Sequence, residues 1–188
     1  MSKAVSPLNG KAHVGSVTIT EQGLRGMITL RGDLSSPELQ KVAIEVSGQK
    51  CPDQGHCNAV GDTGLAWMSP DEMLVMVPYD EVTQSVERID AALAGSHFLA
   101  ANVSDARAVI RLEGEGVREV ISKLAPVDMS ADAFKPGQFR RTRLAQIAAA
   151  FWLRDETTVD LICFRSVADY AFDVLCRAAI PGTEVGHL

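Results

Sequence analysis

The sequence predicts an α+β fold of two similar halves, each running strand–helix–strand–strand–helix, with mixed sheets that carry helices on one face. Three observations predict it. Short apolar runs of period two alternate with runs of helical period in a recurring order. Placing Trp67 on Trp152, an offset of 85, also places Met68 on Leu153, Leu74 on Val159, Val77 on Ile162 and Tyr79 on Phe164. Upstream, Ile28-Thr29-Leu30-Arg31-Gly32 matches Ile110-Arg111-Leu112-Glu113-Gly114 at an offset of 82, a difference that a loop absorbs.

The elements follow in order. Alternation predicts a strand over 14–20, and Glu21-Gln22-Gly23 turns the chain into a second strand over 27–31, which ends at Gly32-Asp33. Ser36-Pro37 supplies an N-cap with proline at the first helical position. Leu39, Val42, Ala43 and Val46 then fall on one helical face until Gly48. Residues 48–63, rich in glycine and aspartate, read as a loop. Strands over 65–68 and 73–77 flank the turn Ser69-Pro70-Asp71-Glu72. Tyr79-Asp80 opens a helix with the stripe Val82, Val86, Ile89 and Leu93, stopped by Gly95.

The second half repeats this order. Residues 98–103 read as a strand, Ser104-Asp105 as a turn, and 108–112 as a strand centred on Val109-Ile110. Gly114 leads into a helix with Val117, Val120, Ile121 and Leu124, closed by Pro126. Residues 126–138 read as a loop, and strands over 144–153 and 159–164 surround the turn Arg154-Asp155-Glu156. Ser166 is placed to cap a last helix bearing Val167, Tyr170, Ala171, Val174, Leu175 and Ala178, ended by Pro181-Gly182. The expected organisation is a tail over 1–13, one half over 14–97, the other over 98–180, and a tail over 181–188, the halves packing as one unit.

Composition narrows the function. The chain has 188 residues, with 46% hydrophobic and 22% charged, which suits a globular domain. Eighteen basic against 24 acidic residues give −6, so a polyphosphate partner finds little counterion-releasing charge and no nucleic acid is expected. No window approaches the roughly 20 apolar residues that span a bilayer, so no membrane is expected. The first residues lack the apolar core of a secretory signal. The four cysteines, Cys51, Cys57, Cys163 and Cys176, suit a reducing, cytoplasmic setting, with Cys163 and Cys176 as small buried hydrophobes.

No catalytic, cofactor-binding or metal site is assigned. Cys51, His56 and Cys57 offer three ligands where a structural zinc wants four. Gly114-Glu115-Gly116 opens like a dinucleotide loop, but Glu119 stands at the third glycine, and Glu113 and Glu115 would repel a pyrophosphate. Asp71, Glu72, Asp105, Asp155 and Glu156 fall at turns, where carboxylates are usually solvated. His13 and His97 flank strands. Phe139 precedes Arg140, Arg141 and Arg143; on a strand the last two share a face, as a partner- or anion-binding stripe or as a charge-protected edge.

Several stretches together resemble the gamma subunit of heterotetrameric sarcosine oxidase. Trp67-Met68-Ser69-Pro70-Asp71-Glu72 resembles that family's Trp-x-Gly-Pro-Asp-Glu-Trp segment, with Ser69 in place of its usual Gly and Met73 in place of its frequent Trp. Val103-Ser104-Asp105-Ala106-Arg107 with Val109-Ile110-Arg111-Leu112-Glu113-Gly114 resembles its central strand. Pro126-Val127-Asp128 with Phe134-Lys135-Pro136-Gly137 resembles its following loop, and Arg165-Ser166-Val167-Ala168-Asp169-Tyr170 the start of its last helix. The loop from Cys51 to Cys57 has no counterpart. The family is similar in turn to the folate-binding domain of the glycine-cleavage T-protein, mostly over 104–128.

The resemblance implies a subunit that brings no cofactor, inside an oxidoreductase acting on CH–NH donors with oxygen. FAD, FMN, NAD, zinc and tetrahydrofolate would then sit in the alpha, beta and delta partner subunits. The implied reaction is oxidative demethylation of sarcosine to glycine, with hydrogen peroxide and 5,10-methylenetetrahydrofolate formed by those partners. The alternative is a stand-alone folate or one-carbon-binding module, which needs a concave site with a carboxylate for a pterin ring; Asp105 and Asp128 are the carboxylates available for it. A small partner protein outside one-carbon metabolism is a third reading.

Overall fold

A computed structural model describes residues 4–186. Two compact units divide the chain: Leu24–Asp105 form one, and the residues before and after them form the other.

The unit of residues 24–105 contains β3 (Gly26–Arg31), α1 (Pro37–Ser47), β4 (Cys57–Val60), β5 (Thr63–Ser69), β6 (Glu72–Val77), α2 (Val82–Ala92) and β7 (Leu99–Asn102). Its sheet has the order β4-β5-β6-β3-β7 and every pair is antiparallel. Alternation sends Ile28, Leu30, Leu65, Met73, Val75 and Val77 to one face, where they pack in one core with Leu39 and Val42 of α1 and Val82 and Ile89 of α2. The opposite face is also buried at Met27, Ala66, Leu74 and Met76. Helix α1 starts and stops as its caps dictate. The Ser36 hydroxyl accepts from the Leu39 N–H at 3.3 Å, and Gly48, at φ 68°, donates its N–H to the Ile44 carbonyl.

The other unit contains β1 (Ala12–Val14), β2 (Thr18–Glu21), β8 (Arg107–Glu113), α3 (Val117–Ser122), β9 (Phe139–Leu144), β10 (Ile147–Asp155), β11 (Thr158–Phe164) and α4 (Ala168–Ala178). Its sheet runs β1-β2-β8-β11-β10-β9, again wholly antiparallel. Ile110, Leu112, Phe151, Leu153 and Leu161 form a core with Val120 and Ile121 of α3 and Ala171 and Leu175 of α4. The loop between α3 and β9 adds Met129 and Phe134, both fully buried, with the Phe134 ring 5.6 Å from that of Phe151. Arg118 pins this loop, donating to the Met129 and Phe134 carbonyls and pairing with Glu156 at 2.6 Å.

Both sheets are antiparallel rather than mixed: hairpins join β4–β5–β6 and β9–β10–β11, and β3 and β8 then pair antiparallel with the last strand of each meander. The duplication is present, but its true offset in the second hairpin and helix is 86. Each hairpin carries its irregularity between equivalent residues, Trp67/Ser69 and Leu153/Asp155. The pair Trp67–Met73 thus matches Leu153–Val159, and α2 (Val82–Ala92) matches α4 (Ala168–Ala178). Trp67 and Trp152 lie on equivalent strands one residue out of step, and one residue along a strand reverses the face. The offset of 82 for β3 and β8 holds: Thr29 faces Leu74 as Arg111 faces Asp160.

The unit boundaries also differ from the expected 14–97 and 98–180. β2 precedes β3 in the chain but pairs with β8, while β7 precedes β8 but pairs with β3. The leading strand of each half therefore belongs to the other half's sheet. Residues 4–13 are not a loose tail. Leu8 is buried, and Glu21 holds this segment by accepting from the Ser6 hydroxyl and the Leu8 and Gly10 N–H groups. The outer ends of both predicted tails, residues 1–3 and 187–188, lie outside the described residues.

Smaller departures have local causes. The strand expected over 14–20 breaks into β1 and β2, because the Ser16 N–H donates to the Ala179 carbonyl at 2.7 Å and Gly15 lies so close to that carbonyl that a Cβ would sit 2.3 Å from its oxygen. β4 forms inside the presumed 48–63 loop, and Ala145, at φ 50°, makes the turn that separates β9 from β10 without a glycine to announce it. Asp155 still belongs to β10. Ser166 does not cap α4; a short 3-10 turn over Arg165–Val167 leads into it, as Tyr79–Glu81 does into α2.

Candidate functional site

The sequence-selected groups end up dispersed and locally committed. The Cys51 thiol rests 3.8 Å from the Gln40 carbonyl, the His56 Nδ1 lies 3.0 Å from the Gln54 carbonyl, and Cys57 is buried at the start of β4. Among the described residues no three His, Cys, Asp or Glu side chains are grouped so as to hold a metal ion. Burial pushes the Cys51 and Cys176 thiols up, and the Cys163 thiol up to about 11, so these sulfurs stay protonated and weakly nucleophilic near neutral pH.

Gly114, at φ 137°, donates its N–H to the Thr157 carbonyl, and a Cβ on it would come 3.4 Å from the Val17 Cα. That contact is an ordinary one, so the glycine is explained by its positive φ, which side chains rarely adopt, and Glu113 and Glu115 beside it are exposed.

The turn carboxylates are occupied by their own turns. Asp71 accepts from the Ser69 hydroxyl at 2.6 Å, and Asp155 from the Thr157 N–H and hydroxyl; hydrogen bonding holds both below the usual carboxylate range. These are the same interaction with donor and acceptor exchanged between the matching hairpins. Asp105 accepts from the Tyr79 hydroxyl at 2.9 Å, and Asp128 from the Ser130 N–H. Beside Asp105, buried Ser104 accepts from the Met27 N–H and donates to Asn102, which seats β7 against β3.

A cavity of about 550 Å³ opens in the unit of residues 24–105, lined by Arg31, Asp33, Asp71, His97 and Phe98 among others. Arg31 and Asp71 pair across it at 2.9 Å, and Asp33 accepts from the N–H and hydroxyl of Ser35, which hold its pKa down. Neither Asp105 nor Asp128 lines it.

Sequence reasoning passed over the most buried charge. Asp160, fully buried in β11, accepts from Arg111 Nε and Nη2 at 2.7 and 3.0 Å and from Arg154 Nη1 at 2.9 Å. The signal was a single acid within the apolar run Val159–Cys163. The Trp152 indole N–H, on the same sheet face, is buried without a hydrogen-bond partner among the described residues. The arginine stripe is real: Arg141 and Arg143 are exposed on β9, whereas Arg140 is half-buried. Among the described residues no helix is long and apolar enough to cross a membrane.

Comparison with known proteins places this geometry. The model of the sarcosine oxidase, gamma subunit family matches residues 31–180. A sarcosine oxidase subunit gamma of an Arthrobacter species is 31% identical over 98 residues, covering 52% of this chain and 47% of that protein. One from Corynebacterium sp. (strain P-1) is 27% identical over 144 residues, covering 76% and 70%. The chain thus spans about half the length of the first relative. A chain of the heterotetrameric sarcosine oxidase of Corynebacterium sp. U-96 in complex with pyrrole 2-carboxylate shares the fold with a TM-score of 0.78 at 22% identity, covering 89% of this chain and 87% of that one. The glycine cleavage system aminomethyltransferase T of Bartonella henselae has a TM-score of 0.54 at 10% identity over 80% of this chain and 43% of that one, a likeness of fold. Matched over most of its length by the family model, the chain belongs to the sarcosine oxidase gamma subunit family.

Proposed function

We propose that this chain is a structural subunit of a heterotetrameric sarcosine oxidase, contributing interface rather than a chemical step. The observation that carries this reading is the family match over residues 31–180. The site geometry supports it. Asp71, Asp128 and Asp155 each close a local hydrogen bond, Asp105 accepts from the Tyr79 hydroxyl, and the buried Asp160 neutralises Arg111 and Arg154.

In this reading the partners are the alpha, beta and delta subunits, which carry FAD, FMN, NAD, zinc and tetrahydrofolate. Together they convert sarcosine, oxygen and tetrahydrofolate to glycine, hydrogen peroxide and 5,10-methylenetetrahydrofolate in the cytoplasm. A stand-alone folate module has only the fold likeness in its favour, since Asp105 and Asp128 are bonded to Tyr79 and Ser130.

The test is to purify the chain alone, record its visible spectrum and assay peroxide release with sarcosine, then add the other subunits. A colourless, inactive chain that restores assembly or activity is expected. A yellow, active lone chain, or a complex that assembles and works equally well without it, would overturn the reading.

A further inference from the structure

We propose that the outer edge of β7 accepts an added strand, an extended uncharged segment of a partner subunit laid antiparallel against it; this rests on the subunit reading above. The two sheets match strand for strand up to this point. β2 lies on β8 as β7 lies on β3, in the same register. Thr18 opposes Glu113 where Leu99 opposes Arg31, Ile19 opposes Leu112 where Ala100 opposes Leu30, and Glu21 opposes Ile110 where Asn102 opposes Ile28. In the first sheet β1 then covers β2, with Ala12, His13 and Val14 opposite Thr20, Ile19 and Thr18. In the second sheet β7 is the last strand among the described residues, and no strand stands where β1 stands.

The backbone of β7 is set up for such a strand. The Val103 N–H donates to the Met27 carbonyl at 2.8 Å, so Ala101 and Leu99, two and four residues back, also turn their backbone groups to β3. The N–H and carbonyl groups of Ala100 and Asn102 therefore point outward. Asn102 is the counterpart of Glu21, whose N–H donates to the Lys11 carbonyl at 2.9 Å as the chain enters β1. The fold thus shows, on its own matching edge, the hydrogen bond that the Asn102 N–H is aimed to make.

The chemistry of the edge selects the occupant. From Ala91 to Ser104 the chain has no Asp, Glu, Lys or Arg, and Leu99 is 52% exposed. Edges that only face water are commonly guarded by charge, as β9 is by its three arginines. A charged segment laid on β7 would lose water without gaining a counterion, so an uncharged one fits. The 550 Å³ cavity lies at the Leu99 end, walled by Phe98, Leu99 and the Arg31–Asp71 pair. It offers a seat for an apolar side chain of the added strand, the feature that gives strand addition its specificity. A second copy is a poor occupant. Four residues span about 14 Å, and pairing two such edges falls well short of the roughly 1,200 Å² that a stable interface buries. A partner already held elsewhere presents its segment at high effective concentration.

The experiment uses the full chain with its partner subunits. Assembly affinity is measured for wild type, Ala100→Pro, which removes an outward N–H and leaves the bonds to β3, and Leu99→Lys, which puts a charge on the edge. Each should weaken assembly about tenfold. Amide hydrogen exchange gives the direct readout: Ala100 and Asn102 should slow on assembly, whereas Ala101, bonded to β3, should be slow in both states. Melting identifies a variant that does not fold, and if Ala100→Pro is one, Leu99→Lys and the wild-type exchange decide. Folded variants that assemble like wild type, or Ala100 and Asn102 amides that exchange equally fast in the complex, would overturn the proposal. So would the same slowing in the lone chain as its concentration rises, which would assign the edge to a second copy. A wild-type chain that does not assemble overturns the subunit reading and this proposal together, whereas a competent wild type with an indifferent edge overturns this proposal alone.

Discussion

The two sheets share strand order and hairpin irregularity, yet their two faces have diverged unequally. On the helix-covered face the equivalent positions stay apolar: Ile28 and Ile110, Leu30 and Leu112, Leu65 and Phe151, Val75 and Leu161, Ile89 and Leu175. On the opposite face Leu74 is matched by Asp160, Met68 by Arg154, Thr29 by Arg111 and Ala66 by Trp152. A helix laid on a sheet must bury an apolar stripe, and that requirement holds one face constant. The other face is free to be filled by methionine and leucine or by a neutralised ionic cluster, provided each buried charge finds its partner.

The largest expected effect tests that cluster. Asp160→Ala should destabilise the protein by about 3–5 kcal/mol, because two largely buried guanidinium groups lose their shared carboxylate. Replacing all three by their counterparts, as Arg111→Thr/Arg154→Met/Asp160→Leu, should recover most of that loss. Urea titration of the two variants checks both, and a triple variant no more stable than Asp160→Ala would break the proposed equivalence of the faces.

A slightly smaller effect tests the helix face. Ile89→Ala and Leu175→Ala should each cost about 2–5 kcal/mol, and by similar amounts, since both are fully buried at matching positions. A loss confined to one of them would show that the halves do not share a packing role.

The smallest effect concerns the thiol. Val77 is matched by Cys163, whose burial raises its pKa from 9.0 to about 11. The folded chain binds that proton more tightly than the unfolded chain, so this contribution is intact below pH 9 and is lost as pH rises from about 9 toward 11. Cys163→Val should leave stability at pH 7 within about 1 kcal/mol of wild type and flatten the alkaline limb. Thermal melts from pH 7 to 10 measure this, and an unchanged alkaline slope would assign it to another group.

The amino-acid sequence alone determined what local chemistry controls. Ser36-Pro37 and Gly48 delimit α1 because a hydroxyl acceptor, a fixed φ and a left-handed glycine act within a few residues. The helical stripes and the strand pairs around Gly32 and Gly114 expose the duplication, because burying one face imposes its period on each half. The family motifs were legible for the same reason, being short and contiguous. Tertiary structure decided the rest. The matched tryptophans suggested an offset of 85, but hairpin register is fixed by cross-strand hydrogen bonds, and these put Trp67 opposite Met73 and Trp152 opposite Asp160. The sheet each leading strand joins, the partners of Asp160 and the edge position of β9 all depend on residues distant in sequence, as Asp160 and Arg111 show at a separation of 49. Periodicity reports which face a residue takes; only the folded pairing selects the neighbour it meets there.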